Sequence, residues 1–310
     1  MESIQQWGLD FIQILHSRAS PALTVFMSSI PWFGSAAACL LLISLSYWCI
    51  DEKKGFAMGI AVIVSAWLSI TVKSVFEQSL PSFAPYDPSA QLSAFSSGHA
   101  QNVLVMWLIA ASLIHKKWAY ISAVALCLLI SFSQMFLGIL LLDILAGWAL
   151  GGAVLCVYFL LGEKISVLLG RGGYRAQMLA IAAASFIMIL YRPAEDFLIP
   201  GALLLGFGIG YIVNKRYVQF KSAVDSAFSP TVKYRIMAVR FLLGITGAVL
   251  LYVIFGKLTP IARGTSFYML AFFSQYALMG LWLSTGAPKL FCLIRLAHTQ
   301  TVESKGAESE

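Results

Sequence analysis

Long apolar runs separated by short polar connections dominate the chain. A crossing of roughly 30 Å of hydrocarbon takes about twenty mostly apolar residues. Nine runs of about that length predict spans at 22–49, 55–73, 98–114, 118–138, 142–162, 176–191, 197–213, 236–256 and 266–287. Ahead of them, Ile4, Trp7, Leu9, Phe11, Ile12, Ile14 and Leu15 are interleaved with Gln5, Gln6, Asp10, Gln13 and His16, and no basic leader precedes a hydrophobic core. That pattern predicts an interfacial amphipathic helix over residues 1–20 rather than a signal peptide. The fold class expected is all-α: a polytopic transmembrane helical bundle of about nine spans with an amphipathic N-terminal helix. The polar stretch from Thr299 to Glu310 reads as a disordered tail.

Composition makes the bilayer the solvent. Of 310 residues 59% are hydrophobic and 11% charged, and the mean hydropathy is +0.82, outside the range of soluble domains of this length. Cys39, Cys49, Cys127, Cys156 and Cys292 lie in or beside apolar stretches without C-x-x-C spacing, so neither a metal site, a cofactor nor a disulfide framework is indicated. The net charge of +7 does not call for nucleic acid, because the basic residues sit in short clusters between apolar runs. The first, third, fifth and seventh connections carry Lys53, Lys54, Lys116, Lys117, Lys164, Arg171, Arg175, Lys215, Arg216, Lys221, Lys233 and Arg235. The second, sixth and eighth carry Lys73, Arg192, Lys257 and Arg263. Cytoplasmic loops retain Lys and Arg, which predicts an outside N-terminus and a cytoplasmic C-terminus. The second connection, 74–97, and the tight fourth one, near 139–141, then share the outer face.

Within the spans, Gly206 and Gly210 form a small-xxx-small pair, the spacing that lets helices approach closely. Chemistry concentrates in Ala94-Phe95-Ser96-Ser97-Gly98-His99-Ala100-Gln101-Asn102, which opens the third span. A helix N-terminus favours an anion, Ser97 offers a hydroxyl donor, and His99 could give a proton to a leaving oxygen. The same residues also read as an ordinary N-cap followed by a packed histidine.

With its neighbours, this segment resembles the type 2 phosphatidic acid phosphatase and haloperoxidase superfamily, particularly its multi-span bacterial members. Three signatures carry the resemblance: K-x6-R-P as Lys73 through Leu80-Pro81, P-S-G-H as Ser96-Ser97-Gly98-His99, and S-R-x5-H-x3-D as Ser133-Gln134 through Leu140 to Asp143. Tyr47-Trp48-Cys49, Ser65-Ala66-Trp67 and Asp143-Ile144-Leu145-Ala146-Gly147 look similar too. The resemblance is firm over roughly residues 20–160 and vague beyond. It implies a phosphatase-like core over 21–162, additional transmembrane helices over 163–298, and a bacterial inner-membrane location. It also implies phosphate contacts from Lys73, Ser97 and Gly98, with His99 and Asp143 as candidate catalytic residues. The partner implied is a membrane lipid carrying phosphate, or a polyprenyl phosphate.

The departures bear on activity. Leu80 and Gln134 stand where the resemblance implies arginines, Ser96 where it implies proline, and Leu140 where it implies the nucleophilic histidine. The third signature is one residue short, and a one-residue shift on a helix is a rotation of about 100°, which predicts an Asp143 turned away from the site. Lys73 reads equally as a snorkelling flank residue or a phosphate contact, and Asp143 as a loop-exposed or capping carboxylate or a retained catalytic one. Glu77, Asp87, Glu195 and Asp196 line an outer vestibule or are simply solvated. Three functions follow: a lipid-phosphatase fold whose catalytic set has decayed to binding or scaffolding, an active lipid or polyprenyl phosphate phosphatase using His99, and a carrier of lipids or anions, motivated by spans beyond the resemblance.

Overall fold

A computed structural model of the chain describes residues 20–76, 97–192, 194–224, 228–265 and 267–297. The expected N-terminal amphipathic helix, the tail from Thr299, and Glu77, Leu80, Pro81, Asp87, Ser96, His16 and His298 lie outside them.

The described residues are helical almost throughout. In order they form α1 (Pro21–Ser29), α2 (Ala36–Leu45), α3 (Glu52–Phe76), α4 (Gly98–Ile114), α5 (Lys117–Phe136), α6 (Leu141–Arg171), α7 (Gly173–Leu190), α8 (Glu195–Val213), α9 (Pro230–Leu258), α10 (Tyr268–Leu281) and α11 (Ala287–Leu293). Among the described residues six helices are long and apolar enough to cross a membrane, and a seventh is formed if the bent pair Pro21–Gly34 and Ala36–Ile50 is one span. The protein is an all-α polytopic membrane protein.

Two of the nine expected runs fall short of that length. Helix α4 has 17 residues, and the run at 266–287 is divided into α10, a π-helical turn at Trp282–Gly286 and α11. The first run is not continuous either. Pro31 and Gly34 lie in a 3-10 turn, Ile30–Gly34, and the helices on either side of it are bent by 49°. Ser35 restarts the chain by accepting the Ala38 N–H on its hydroxyl, a side-chain cap for an otherwise orphaned donor.

The chain divides into two compact units, one drawing on the stretch ending at Leu40 and on Val64–Leu161, the other on Leu41–Ile63 and the stretch from Gly162. In the first, Met27, Ile30, Val103, Cys127, Ile130 and Phe136 form a buried core from α1, the 3-10 turn after it, α4 and α5. The Ser133 hydroxyl in that core donates to Met27 O at 2.5 Å. Helix α6 meets α4 through Gly147 and Gly151. A β-carbon on Gly147 would stand 2.6 Å from Ser97 O, which excludes a side chain there unless the backbone shifts, and one on Gly151 would stand 3.0 Å from Gln101 O, a tight contact.

The second unit repeats the device. A β-carbon on Gly206 of α8 would stand 1.9 Å from Ala277 O, and one on Gly280 of α10 2.6 Å from Phe207 N. Gly206 and Gly210 thus serve close helix packing, as their spacing predicts. Arg240 of α9 is 1% exposed. It donates from Nε and Nη2 to Leu296 O at 2.9 and 2.6 Å and from Nη1 to Ser222 O at 2.7 Å and Trp48 O at 3.3 Å. Its guanidinium also lies 5.6 Å from the centre of the Phe220 ring. Backbone carbonyls therefore solvate a charge that would otherwise be costly to bury.

Candidate active site

Helix α5 ends in a turn that positions one wall of the site. Gly138 has φ +99°, and two hydrogen bonds close the helix end: Gly138 N–H to Met135 O at 3.0 Å and Ile139 N–H to Gln134 O at 2.9 Å. This is a Schellman motif, in which the left-handed residue is normally glycine. The chain then restarts as α6 at Leu141 with Asp143 in its first turn.

The opposite wall is the start of α4. Ser97 is its N-cap and accepts the Ala100 N–H on its hydroxyl at 3.3 Å. The Ser97 N–H donates to Asp143 O at 2.8 Å, a backbone tether between the second and third signatures. The Ser97 hydroxyl donates to Gln134 Oε1 at 2.5 Å. Ser97 is thus an N-cap, as one reading of the sequence has it, and its single hydroxyl hydrogen points to Gln134 rather than into open space. A little deeper, Gln101 is fully buried and donates to Ser65 O at 2.8 Å, while the Ser65 hydroxyl donates to Asn102 Oδ1 at 2.7 Å.

These walls enclose a cleft of about 230 Å³, lined by Lys73, Ser97, Gly98, His99, Gln134 and Asp143, together with Pro31, Leu137 and Ile139. Gly98 allows the approach of α4 to α3. A β-carbon there would stand 2.7 Å from Ser69 Oγ, and Lys73 Nζ is 4.0 Å from the same point. His99 is exposed, with its Cδ2 3.7 Å from where a β-carbon on Gly34 would stand. Among the described residues no three His, Cys, Asp or Glu side chains gather as a metal ion would need.

All five sequence-predicted site residues, Lys73, Ser97, Gly98, His99 and Asp143, therefore border one cleft. Asp143 is among the residues that border the cleft, and a simple helical rotation does not describe its position, because the chain from Ser133 to Asp143 is not one helix: the Schellman turn resets its direction between Phe136 and Leu141. Ile139, not Leu140, lines the cleft four residues before Asp143. Counting back from Asp143 finds this position, whereas counting forward from Ser133 finds Leu140. Either way the side chain is aliphatic.

Two family models match the chain, the PAP2 superfamily over residues 54–166 and the PAP2 superfamily phosphatase transmembrane extension over residues 199–299, together well over half its length. The chain belongs to the PAP2 superfamily. The first match contains every residue of the PAP2 cleft except Pro31. The second falls where the sequence resemblance is vague, so the later helices are part of the PAP2 likeness as well. No curated protein and no solved structure matches the chain significantly.

Proposed function

We propose that the PAP2 cleft binds the phosphate headgroup of a phosphorylated lipid, such as phosphatidic acid or a polyprenyl phosphate, without efficient hydrolysis. The observation that carries this reading is the composition of the cleft wall. It offers one ammonium (Lys73), one imidazole (His99) and one carboxylate (Asp143), with Ile139 and Leu137 beside them and Gln134 bonded to Ser97. Phosphoryl transfer depends on positioning and on stabilising charge around the equatorial oxygens. One ammonium and an exposed imidazole can hold a phosphate, but an aliphatic side chain cannot attack phosphorus, and a neutral amide lacks the bidentate charge of an arginine. The distribution of basic residues supports a cleft on the outer face of the membrane, with a cytoplasmic C-terminus. The core over 21–162 would supply the cleft and the helices over 163–298 the extension. Because the transmembrane extension accounts for most of the later helices, their number no longer argues for a carrier.

The test is phosphate release by the purified protein in detergent from phosphatidic acid, phosphatidylglycerol phosphate and polyprenyl diphosphate, with His99→Ala alongside. The expected outcome is no release above that of His99→Ala, together with retention of phosphatidic acid that weakens about tenfold in Lys73→Gln, the loss of one charge-assisted contact. Release that disappears in His99→Ala would overturn the reading and make His99 the centre of an active phosphatase.

A further inference from the structure

The second unit holds a separate concave site at the start of α3 and the end of α8. Its cavity, about 130 Å³, is bordered by Tyr47, Glu52, Tyr211, Asn214, Gln219 and Phe220 and by three lysines, Lys53, Lys215 and Lys221. None of these residues belongs to the phosphatase cleft.

The neighbouring carboxylates are already committed. Asp51 caps α3, its Oδ1 accepting the N–H groups of Lys53 and Lys54 at 2.9 Å. Glu52 Oε2 accepts the Ser222 hydroxyl at 2.6 Å and the Ser222 N–H at 3.1 Å, and Glu52 Oε1 lies 3.5 Å from Lys221 Nζ. Among the described residues neither Lys53 nor Lys215 forms an ion pair. Three lysines therefore border the cavity beside one carboxylate that is already hydrogen-bonded and paired.

The backbone holding these lysines is fixed from within. Asn214 donates from Nδ2 to Ser284 O at 2.8 Å and to the Tyr47 hydroxyl at 2.9 Å, and its Oδ1 accepts the Phe220 N–H at 3.2 Å. Its carbonyl accepts the Gln219 N–H at 2.6 Å. This closes a π-helical turn, Asn214–Val218, onto Gln219 in the left-handed region, φ +56°. Lys215 thus lies within, and Lys221 shortly after, a turn that is tied at both ends, while the Asp51 cap sets the backbone of Lys53. Tyr211 and Gln219 add a hydroxyl and an amide to the wall. A space of this size holds about four waters, or one tetrahedral anion.

We propose that this cavity is a second anion site, which takes a phosphate group through Lys53 and Lys215. It lies at the ends of two membrane-crossing helices, Glu52–Phe76 and Glu195–Val218, the level at which basic pockets receive acidic headgroups. The shared chemistry is a phosphate ester or free phosphate, and the experiment distinguishes them.

Full-length protein in non-ionic detergent is compared with Lys53→Gln/Lys215→Gln and, as a control, with Lys116→Gln/Lys117→Gln, which removes two exposed charges from the first unit. Native mass spectrometry measures retention of phosphatidylglycerol against phosphatidylcholine, and thermal unfolding is followed with added inorganic phosphate. The phosphatase cleft is unaltered in every variant, so anything held there is common to all three proteins. For a lipid headgroup, wild type and control retain phosphatidylglycerol alike, Lys53→Gln/Lys215→Gln retains it about tenfold more weakly, and phosphatidylcholine is unchanged throughout. For free phosphate, inorganic phosphate stabilises wild type and control but not Lys53→Gln/Lys215→Gln, with no preference for phosphatidylglycerol. Equal behaviour of all three proteins in both assays, or an equal loss in the Lys116/Lys117 control, overturns the proposal.

Discussion

The two units use similar packing and opposite polar arrangements. Both bring helices together on glycines, Gly147 and Gly151 in the first and Gly206, Gly210 and Gly280 in the second. In the first unit a neutral hydroxyl and a neutral amide, Ser97 and Gln134, bond to each other in the cleft wall. In the second, Asn214, Glu52 and Arg240 bind backbone groups from several segments and leave lysines facing a cavity. A polar group bonded within the protein stabilises it and is withdrawn from ligands. A charge left over does the reverse. The second unit is therefore where loss of one polar side chain should cost most, and the first is where it should cost least.

Three substitutions can break or sharpen that contrast. Asn214→Ala removes the partner of the Phe220 N–H and loosens the turn, and should destabilise by about 3 kcal/mol in thermal unfolding in detergent. A cost below that of the first-unit variants would refute the contrast. Gly147→Val forces a side chain against Ser97 O and should cost about 2 kcal/mol, with headgroup retention at the cleft falling alongside. Unchanged stability would mean that α4 and α6 are not in backbone contact. Ser97→Ala removes a helix cap and the donor to Gln134, and should cost about 1 kcal/mol. Because that hydroxyl is already engaged, phosphatidic acid retention should hardly change. A large drop in retention would show that Ser97 turns toward the ligand.

Much of the fold was legible because span length is a property of contiguous sequence. The first run hid its break, although Pro31, Gly34 and Ser35 together were a readable signal for one. At the site, Ser97-Gly98-His99 was visible because its members are adjacent and sit at a helix start. The place of Asp143 at the cleft was not, because a rotation of about 100° per residue applies only along an unbroken helix, and Gly138 interrupts this one. Gly147 and Gly151 have the same spacing as Gly206 and Gly210, so their packing role could have been read in the same way. The lysine cavity had no local signal: Lys53 and Lys215 lie on different helices far apart in sequence, and only the folded chain brings them to one wall.

The buried Arg240 has a consequence for how the protein is made. A guanidinium on an isolated helix is costly to bring into a bilayer, and here its carbonyl partners include Leu296, one of the last described residues. During synthesis α9 emerges from the ribosome before that partner exists. Trp48 and Ser222 already offer their carbonyls at that stage, whereas Leu296 accepts two of the four guanidinium hydrogen bonds, so a chain ending before Leu296 would leave half of them unmade.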